Sequence, residues 1–137
     1  MKLALLSDIH GNLQALQAVL RDLEQAGVEA VLFLGDAVGY GAHPNEVTEL
    51  IAQRCQVRIL GNHDAGAIGL IDSFLFNDYA RSALDYTEKA LSEEARESLR
   101  SAKPSYLLDE ILLVHATPEQ PDEWRYCLTA RQAARQF

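Results

Sequence analysis

The feature that most constrains this chain is a pair of short, wholly apolar runs with an amphipathic stretch between them. These are "KLALLS" at 2–7, "LQALQAVLRDLEQAG" at 13–27 and "AVLFLG" at 30–35. Apolar runs of strand length, without polar alternation, belong to strands covered on both faces. Between them Leu13, Leu16, Leu20 and Leu23 recur at helical spacing, with Ala15, Val19 and Ala26 widening the stripe and Gly27 at the stop. Strand, helix and strand in so short a span form a βαβ unit, and therefore a parallel sheet with a right-handed crossover. The pattern repeats when Pro44 opens a helix bearing Val47, Leu50 and Ile51 on one face, followed by "VRIL" at 57–60 as a third strand.

Further along, a helix is predicted over about 73–91, and a second one restarts with Ser92 as N-cap and Glu93 and Glu94 at its positive end. Pro104 closes it. The segment "SYLLDEILLVHA" reads as two strands joined through Asp109 and Glu110, and Thr129 with Gln132 forms a T-x-x-Q capping box for a last helix. No repeat, linker or low-complexity tract interrupts the chain.

Composition excludes several function classes. With 48% hydrophobic and 23% charged residues, the 137-residue chain is that of one globular domain, not a disordered segment. A formal net charge of −8 opposes general nucleic-acid binding, because most of the surface would repel a phosphate backbone. The two cysteines, Cys55 and Cys127, form no metal or disulfide framework and fit reduced thiols in the cytoplasm. The apolar part of "MKLALLSDIH" is too short for a signal peptide, and no run reaches membrane-spanning length.

Polar residues follow each apolar run. Asp8 and His10 come after the first, Asp36 after the second, Asn62, His63 and Asp64 after the third, and His115 after "ILLV". Open parallel sheets present ligands beyond the carboxyl ends of their strands. A single Asp or Asn there is ordinarily a turn, and "ILGNHDAG" alone would read as one. Turn chemistry does not call for histidine at three such places. Carboxylate, imidazole and amide oxygen without thiolate suit Mn²⁺, Fe, Zn²⁺ or Mg²⁺. Two carboxylates about 4 Å apart repel by roughly 1 to 4 kcal/mol, which cations between them reverse. A carboxylate such as Asp36 is able to bridge two metals, which at about 3.5–4 Å activate a shared water and clamp a phosphoryl group.

The ordered set "DIHGN", "GD", "GNHD" and "VHA" resembles the calcineurin-like metallophosphoesterase family, in particular its small bacterial phosphodiesterases and phosphatases of broad specificity. The resemblance implies an α/β fold, an α-β-β-α sandwich of two sheets flanked by helices. It also implies hydrolysis of phosphate mono- or diesters at a dinuclear site, with a metal-activated water and a small phosphate ester as substrate. Asp8 and His10 would then bind the first of two divalent ions (Mn²⁺ foremost, with Fe, Zn²⁺, Ni²⁺ or Mg²⁺ permitted), and Asn62 and His115 the second. Asp36 would bridge them. His63 would lie over the substrate as general acid or as a stabiliser of phosphoryl oxygens, with Asp64 orienting it.

The family's fifth motif, G-H-x-H, has no counterpart after His115. The expectation is therefore a single, C-terminally incomplete domain over 1–137 in which each metal keeps three side-chain ligands. An exposed sheet edge would favour homo-oligomers. The alternative is a truncated or degenerate relative that binds metal or a partner without catalysis. Among the remaining features, "GYGAHP" lacks the third glycine of a dinucleotide turn. Ser7 has no nucleophile-elbow context, and His43 reads as a loop residue before Pro44. Phe74, Phe76 and Tyr79 mark the region expected to choose the substrate, while Glu119, Asp122 and Glu123 read as solvated, and Trp124 and Tyr126 have no assignment.

Overall fold

A computed structural model describes residues 2–136. Strands β1 (Leu3–Leu6), β2 (Ala30–Phe33) and β3 (Val57–Arg58) form a parallel sheet in that order, with Leu6 beside Phe33 and Phe33 beside Arg58. Helices α1 (Leu13–Gln25) and α2 (Pro44–Arg54) are the crossovers. The next elements are α3 (Asn62–Ala67), α4 (Asp78–Ala90) and α5 (Glu93–Arg100), then the antiparallel hairpin β4 (Ser105–Leu108) and β5 (Ile111–Val114), and finally α6 (Ala130–Ala133).

The two faces of the parallel sheet carry different cores. On one, Phe33 is buried with Leu16 and Leu20 of α1, Val47 and Ile51 of α2, Leu84 of α4 and Leu99 of α5. On the other, Leu32, Val57 and Ile59 pack with Leu113 of β5. Helices, parallel sheet and hairpin thus stack as consecutive layers of the expected sandwich. The hairpin side of the sheet buries β2 and β3 and covers β1 only in part, where Leu3 packs at the margin of that core. Leu5, in register with the buried Leu32, is 58% exposed, and Leu107, Ile111 and Leu112 are exposed too. Among the described residues, no helix is long and apolar enough to cross a membrane.

Several local expectations hold. Ser92 accepts the Ala95 N–H as N-cap of α5, and Gly27 follows α1 at φ +64°, the left-handed stop expected of glycine. Thr129 caps α6 by accepting the Gln132 N–H, but the returning Gln132 oxygen takes the N–H of Leu128 instead of that of Thr129. Others need correction. The stretch 73–91 is not one helix, because a single 3-10 turn at Ser73–Leu75 is followed by extended Phe76, and Asn77 then caps α4 by accepting the Ala80 N–H. The third strand stops at Arg58, beyond which Ile59 still donates its N–H to Phe33 O (2.8 Å) and makes an isolated parallel bridge to Lys103. "NHDAGA", which in isolation would read as a turn, forms the short helix α3.

Candidate metal centre

All the ligand candidates gather at the carboxyl end of the parallel sheet. The loops after β1 and β2 are zipped together there by backbone bonds from Asp8 N to Gly35 O (3.0 Å), His10 N to Asp36 O (3.0 Å) and Gly11 N to Ala37 O (2.8 Å). Asp8, His10, Asp36 and Tyr40 take left-handed backbone angles of +57°, +49°, +61° and +59°. Non-glycine residues in that region are uncommon and collect at functional sites.

The imidazoles are aimed by the backbone. His10 Nδ1 lies 2.9 Å from Val38 O and His115 Nδ1 lies 2.7 Å from Leu34 O. A carbonyl only accepts, so each Nδ1 carries a proton and each Nε2 turns inward, an arrangement common to metal-bound histidines. His10 Nε2 is 3.7 Å from Asp8 Oδ1 and 3.7 Å from Asp36 Oδ2. His115 Nε2 is 3.4 Å from the same Asp36 oxygen and 3.2 Å from Asn62 Oδ1. The other Asp36 oxygen accepts the His63 N–H at 2.9 Å, which leaves Oδ2 facing both rings.

Donor atoms within 4.8 Å of one another form two overlapping groups, His10–Asp36–His63 and Asp8–Asp36–His115. Asp36 belongs to both. The grouping differs in detail from the expected partition of Asp8 with His10 and Asn62 with His115, yet the distances above bring those pairs together as well. Inward nitrogen lone pairs opposite carboxylate and amide oxygens repel unless a proton or cation sits between them, and this donor set therefore fits divalent metal. In the metal-free chain a proton serves. Burial alone would lower the His115 pKa, but its bond to Asp36 and the charges of Asp36 and Asp8 prevail and raise it to about 9. Burial alone would raise Asp36, whereas His115, His63 and His10 together hold its carboxyl below the ordinary value.

His63 is 7% exposed, and its Nδ1 is the buried side-chain polar atom without a hydrogen-bond partner among the described residues. Its ring lies against Tyr40 (4.9 Å between centroids), Phe76 (5.1 Å) and His10 (4.8 Å). Burial lowers its pKa, and the Asp36 charge offsets this only in part. Beneath the ring is Gly39 at φ +88°, where a Cβ would stand 2.6 Å from Nδ1.

The side-chain contact expected between Asp64 and His63 is not what the structure has. Asp64 is fully enclosed, and its oxygens accept the backbone N–H groups of Asp36 (2.9 Å), Val38 (3.1 Å) and Gly61 (3.1 Å). Asp64 therefore ties the loop after β2 to the start of α3. Burial and the Asp36 charge push its pKa up to about 7 against the pull of those three donors. His43 stands before α2 with its Nδ1 3.8 Å from Glu46, as a loop residue should.

Sequence reading missed part of the surroundings. Tyr40, Phe76, Trp124 and Tyr126 line a cavity of about 590 Å³ that opens onto Asn62 and His63, and Asp122 and Glu123 stand along it too. Phe76 belongs to the stretch expected to choose the substrate, whereas Tyr40 had only its G-Y-G spacing as a local signal and Trp124 and Tyr126 had none.

The profile of the calcineurin-like phosphoesterases matches residues 1–130. An uncharacterized protein of Methanocaldococcus jannaschii is 38% identical over 130 residues, which span 90% of this chain and 53% of that protein. A metallophosphoesterase structure from Sphaerobacter thermophilus superposes with a TM-score of 0.84 at 38% identity, across 100% of this chain and 55% of that one. A hypothetical protein from Pyrococcus horikoshii gives 0.72 at 28% identity, across 87% of this chain and 56% of its own. The chain thus spans about half the length of the relatives it matches. With the profile running from β1 through the segment after His115, and the ordered polar groups at the strand ends, the chain belongs to the calcineurin-like phosphoesterase family.

Proposed function

We propose that this chain hydrolyses phosphate mono- or diesters with two divalent cations gathered around Asp36. The observation that carries the reading is the position of Asp36 Oδ2, 3.7 Å from His10 Nε2 and 3.4 Å from His115 Nε2, with both rings held by backbone carbonyls. Asp8 and His10 would hold one cation with Asp36, and Asn62 and His115 the other. The donor types favour Mn²⁺ and permit Fe, Zn²⁺, Ni²⁺ or Mg²⁺. When bound, the cations supply positive charge to the phosphoryl oxygens and make water acidic enough to attack.

The chain's own residues do the rest. Asp36 keeps the two ligand sets in one register, and the loop bonds made by Asp64 hold Asp36 and α3 together. His63, kept neutral by burial, presents an N–H to a phosphoryl or leaving oxygen from beside Tyr40. The test is hydrolysis of a chromogenic phosphodiester and monoester in Mn²⁺ together with a metal count. Metal-dependent turnover is expected, with about 10²–10⁴-fold lost in His63→Asn. Fewer than one metal per chain and no turnover would sink the reading.

Each cation receives three side-chain ligands from this chain, which favours a second reading, a relative that binds metal without catalysis. Two metals bound with no hydrolysis would select it.

The exposed Leu5, Leu107, Ile111 and Leu112 support self-association, because large apolar side chains exposed on sheets are candidates for cover by another chain. Light scattering is expected to find more than one chain per particle, and a clean monomer would count against it. The two unpaired thiols, Cys55 buried and Cys127 exposed, support a cytoplasmic setting. Cell fractionation that places the protein elsewhere would contradict that.

A further inference from the structure

Arg125 stands where the ligand set has no need of a positive side chain. It lines a groove of about 280 Å³ with Asp8, Asn62 and His115, and Asn62 borders both this groove and the cavity beside His63. Among the described residues that line the hollows around the ligand candidates, Arg125 is the one lysine or arginine. A guanidinium beside a place for two divalent cations adds repulsion of like charges. The sign reverses when an anion lies between them.

The guanidinium is held in position from two directions. Trp124 Nε1 donates to Leu60 O at 3.3 Å, and Leu60 directly precedes Gly61 and Asn62, so the segment carrying Arg125 is registered to the turn that presents Asn62. Glu123 Oε2 accepts from Arg125 Nε at 2.7 Å and lies 2.5 Å from Nη2. Both contacts fall on one edge of the planar fork, which leaves Nη1 outside the pair. The two side chains are 51% and 44% exposed, and an ion pair so open to water adds little stability. Its effect is to orient Arg125, whose fork matches phosphoryl oxygens better than a lysine would.

We propose that Arg125 is a substrate-binding residue that selects phosphate monoesters over diesters by holding a terminal phosphoryl oxygen through Nη1. The proposal rests on the phosphoesterase reading for the position of the phosphoryl group. A monoester is largely a dianion at neutral pH and has a terminal oxygen to spare for a third contact, beyond those taken by the cations and His63. In a diester that oxygen carries a second organic arm and one negative charge is gone. The arm would set carbon against the guanidinium and leave its N–H groups without an acceptor, which is costly for a charged donor.

The experiment needs no turnover. Calorimetric titration of the full chain in Mn²⁺ compares inorganic phosphate with dimethyl phosphate, a diester, and a metal count accompanies it. Phosphate is expected to bind more tightly than dimethyl phosphate. Arg125→Gln should lower that preference about 10- to 100-fold, as befits a lost hydrogen bond to a charged group, with the bound metal unchanged. Arg125→Lys, which keeps the charge without the fork, should recover part of it. No phosphate binding by the parent chain, or an unchanged preference in Arg125→Gln, would overturn the proposal. Hydrolysis of a chromogenic monoester and diester is measured beside it, and Arg125→Gln should raise KM for the monoester and spare kcat. Arg125-dependent phosphate binding without hydrolysis of either ester supports the role of Arg125 and overturns the phosphoesterase reading. Hydrolysis with a KM that Arg125→Gln leaves unaltered does the reverse.

Discussion

Asp36→Asn is expected to lower affinity for both cations by about 10²-fold or more and to remove phosphoesterase turnover. Replacing a partner in the outer shell of a metal site typically costs about 10- to 100-fold, and Asp36 is placed to be a shared ligand. Its Oδ2 faces His10 and His115 at 3.7 Å and 3.4 Å, so one substitution weakens both ligand sets. Asparagine is nearly isosteric and tolerates the left-handed backbone at φ +61°, and its amide oxygen is able to keep the bond from the His63 N–H. The fold should survive while the charge disappears. Equilibrium dialysis followed by elemental analysis measures the loss. Two metals retained at unchanged affinity would show that Asp36 is not shared.

Gly61→Ala is expected to damage fold and site together. A Cβ at that position would stand 2.0 Å from Asp36 Oδ1 and 2.3 Å from Asp36 N. One of the two atoms is backbone and the other is already bonded to His63, so neither moves cheaply. Overpacking a well-filled site costs typically about 1–3 kcal/mol and occasionally more, and this contact belongs at or above the top of that range. Against the roughly 5–15 kcal/mol that holds a domain together, such a loss is large. Urea denaturation of the metal-free protein measures it, with Gly27→Ala as comparison. Gly27 has positive φ, unlike Gly61 at φ −89°, but no atom lies within 4 Å of its Cβ position, so only the backbone preference of roughly 1–2 kcal/mol is lost. Equal destabilisation by the two substitutions would refute the steric account.

What was legible in the sequence follows from the range of the interactions involved. β1, α1 and β2 announce themselves because burial on both faces leaves an unbroken apolar run, and the Leu16–Leu20 stripe is set by helix period alone. The candidate ligand positions Asp8, His10, Asp36 and Asn62 were legible for a topological reason, since residues after parallel strands are brought to one edge whatever lies between, whereas His115 arrives from the antiparallel hairpin. The break before α4 was readable in principle, because Asn77 and Asp78 carry a cap signal inside an otherwise helical pattern. Asp64 was not. Its three partners are backbone N–H groups at Gly61, Asp36 and Val38, which converge only once two loops have docked. The cavity beside His63 has the same difficulty, because Tyr40, Phe76 and the Trp124–Tyr126 pair come from three separate segments of the chain. Val19, placed in the apolar stripe of α1, is 38% exposed, since the sheet presents a narrower face than the helix offers.

The central claim is that one carboxylate, Asp36, organises two cations. Anomalous diffraction from crystals of the Mn²⁺-loaded chain tests it most directly. The account predicts two anomalous peaks flanking Asp36 Oδ2, one bordered by Asp8 and His10 and the other by Asn62 and His115. A single peak, or two peaks that do not share Asp36, would contradict it.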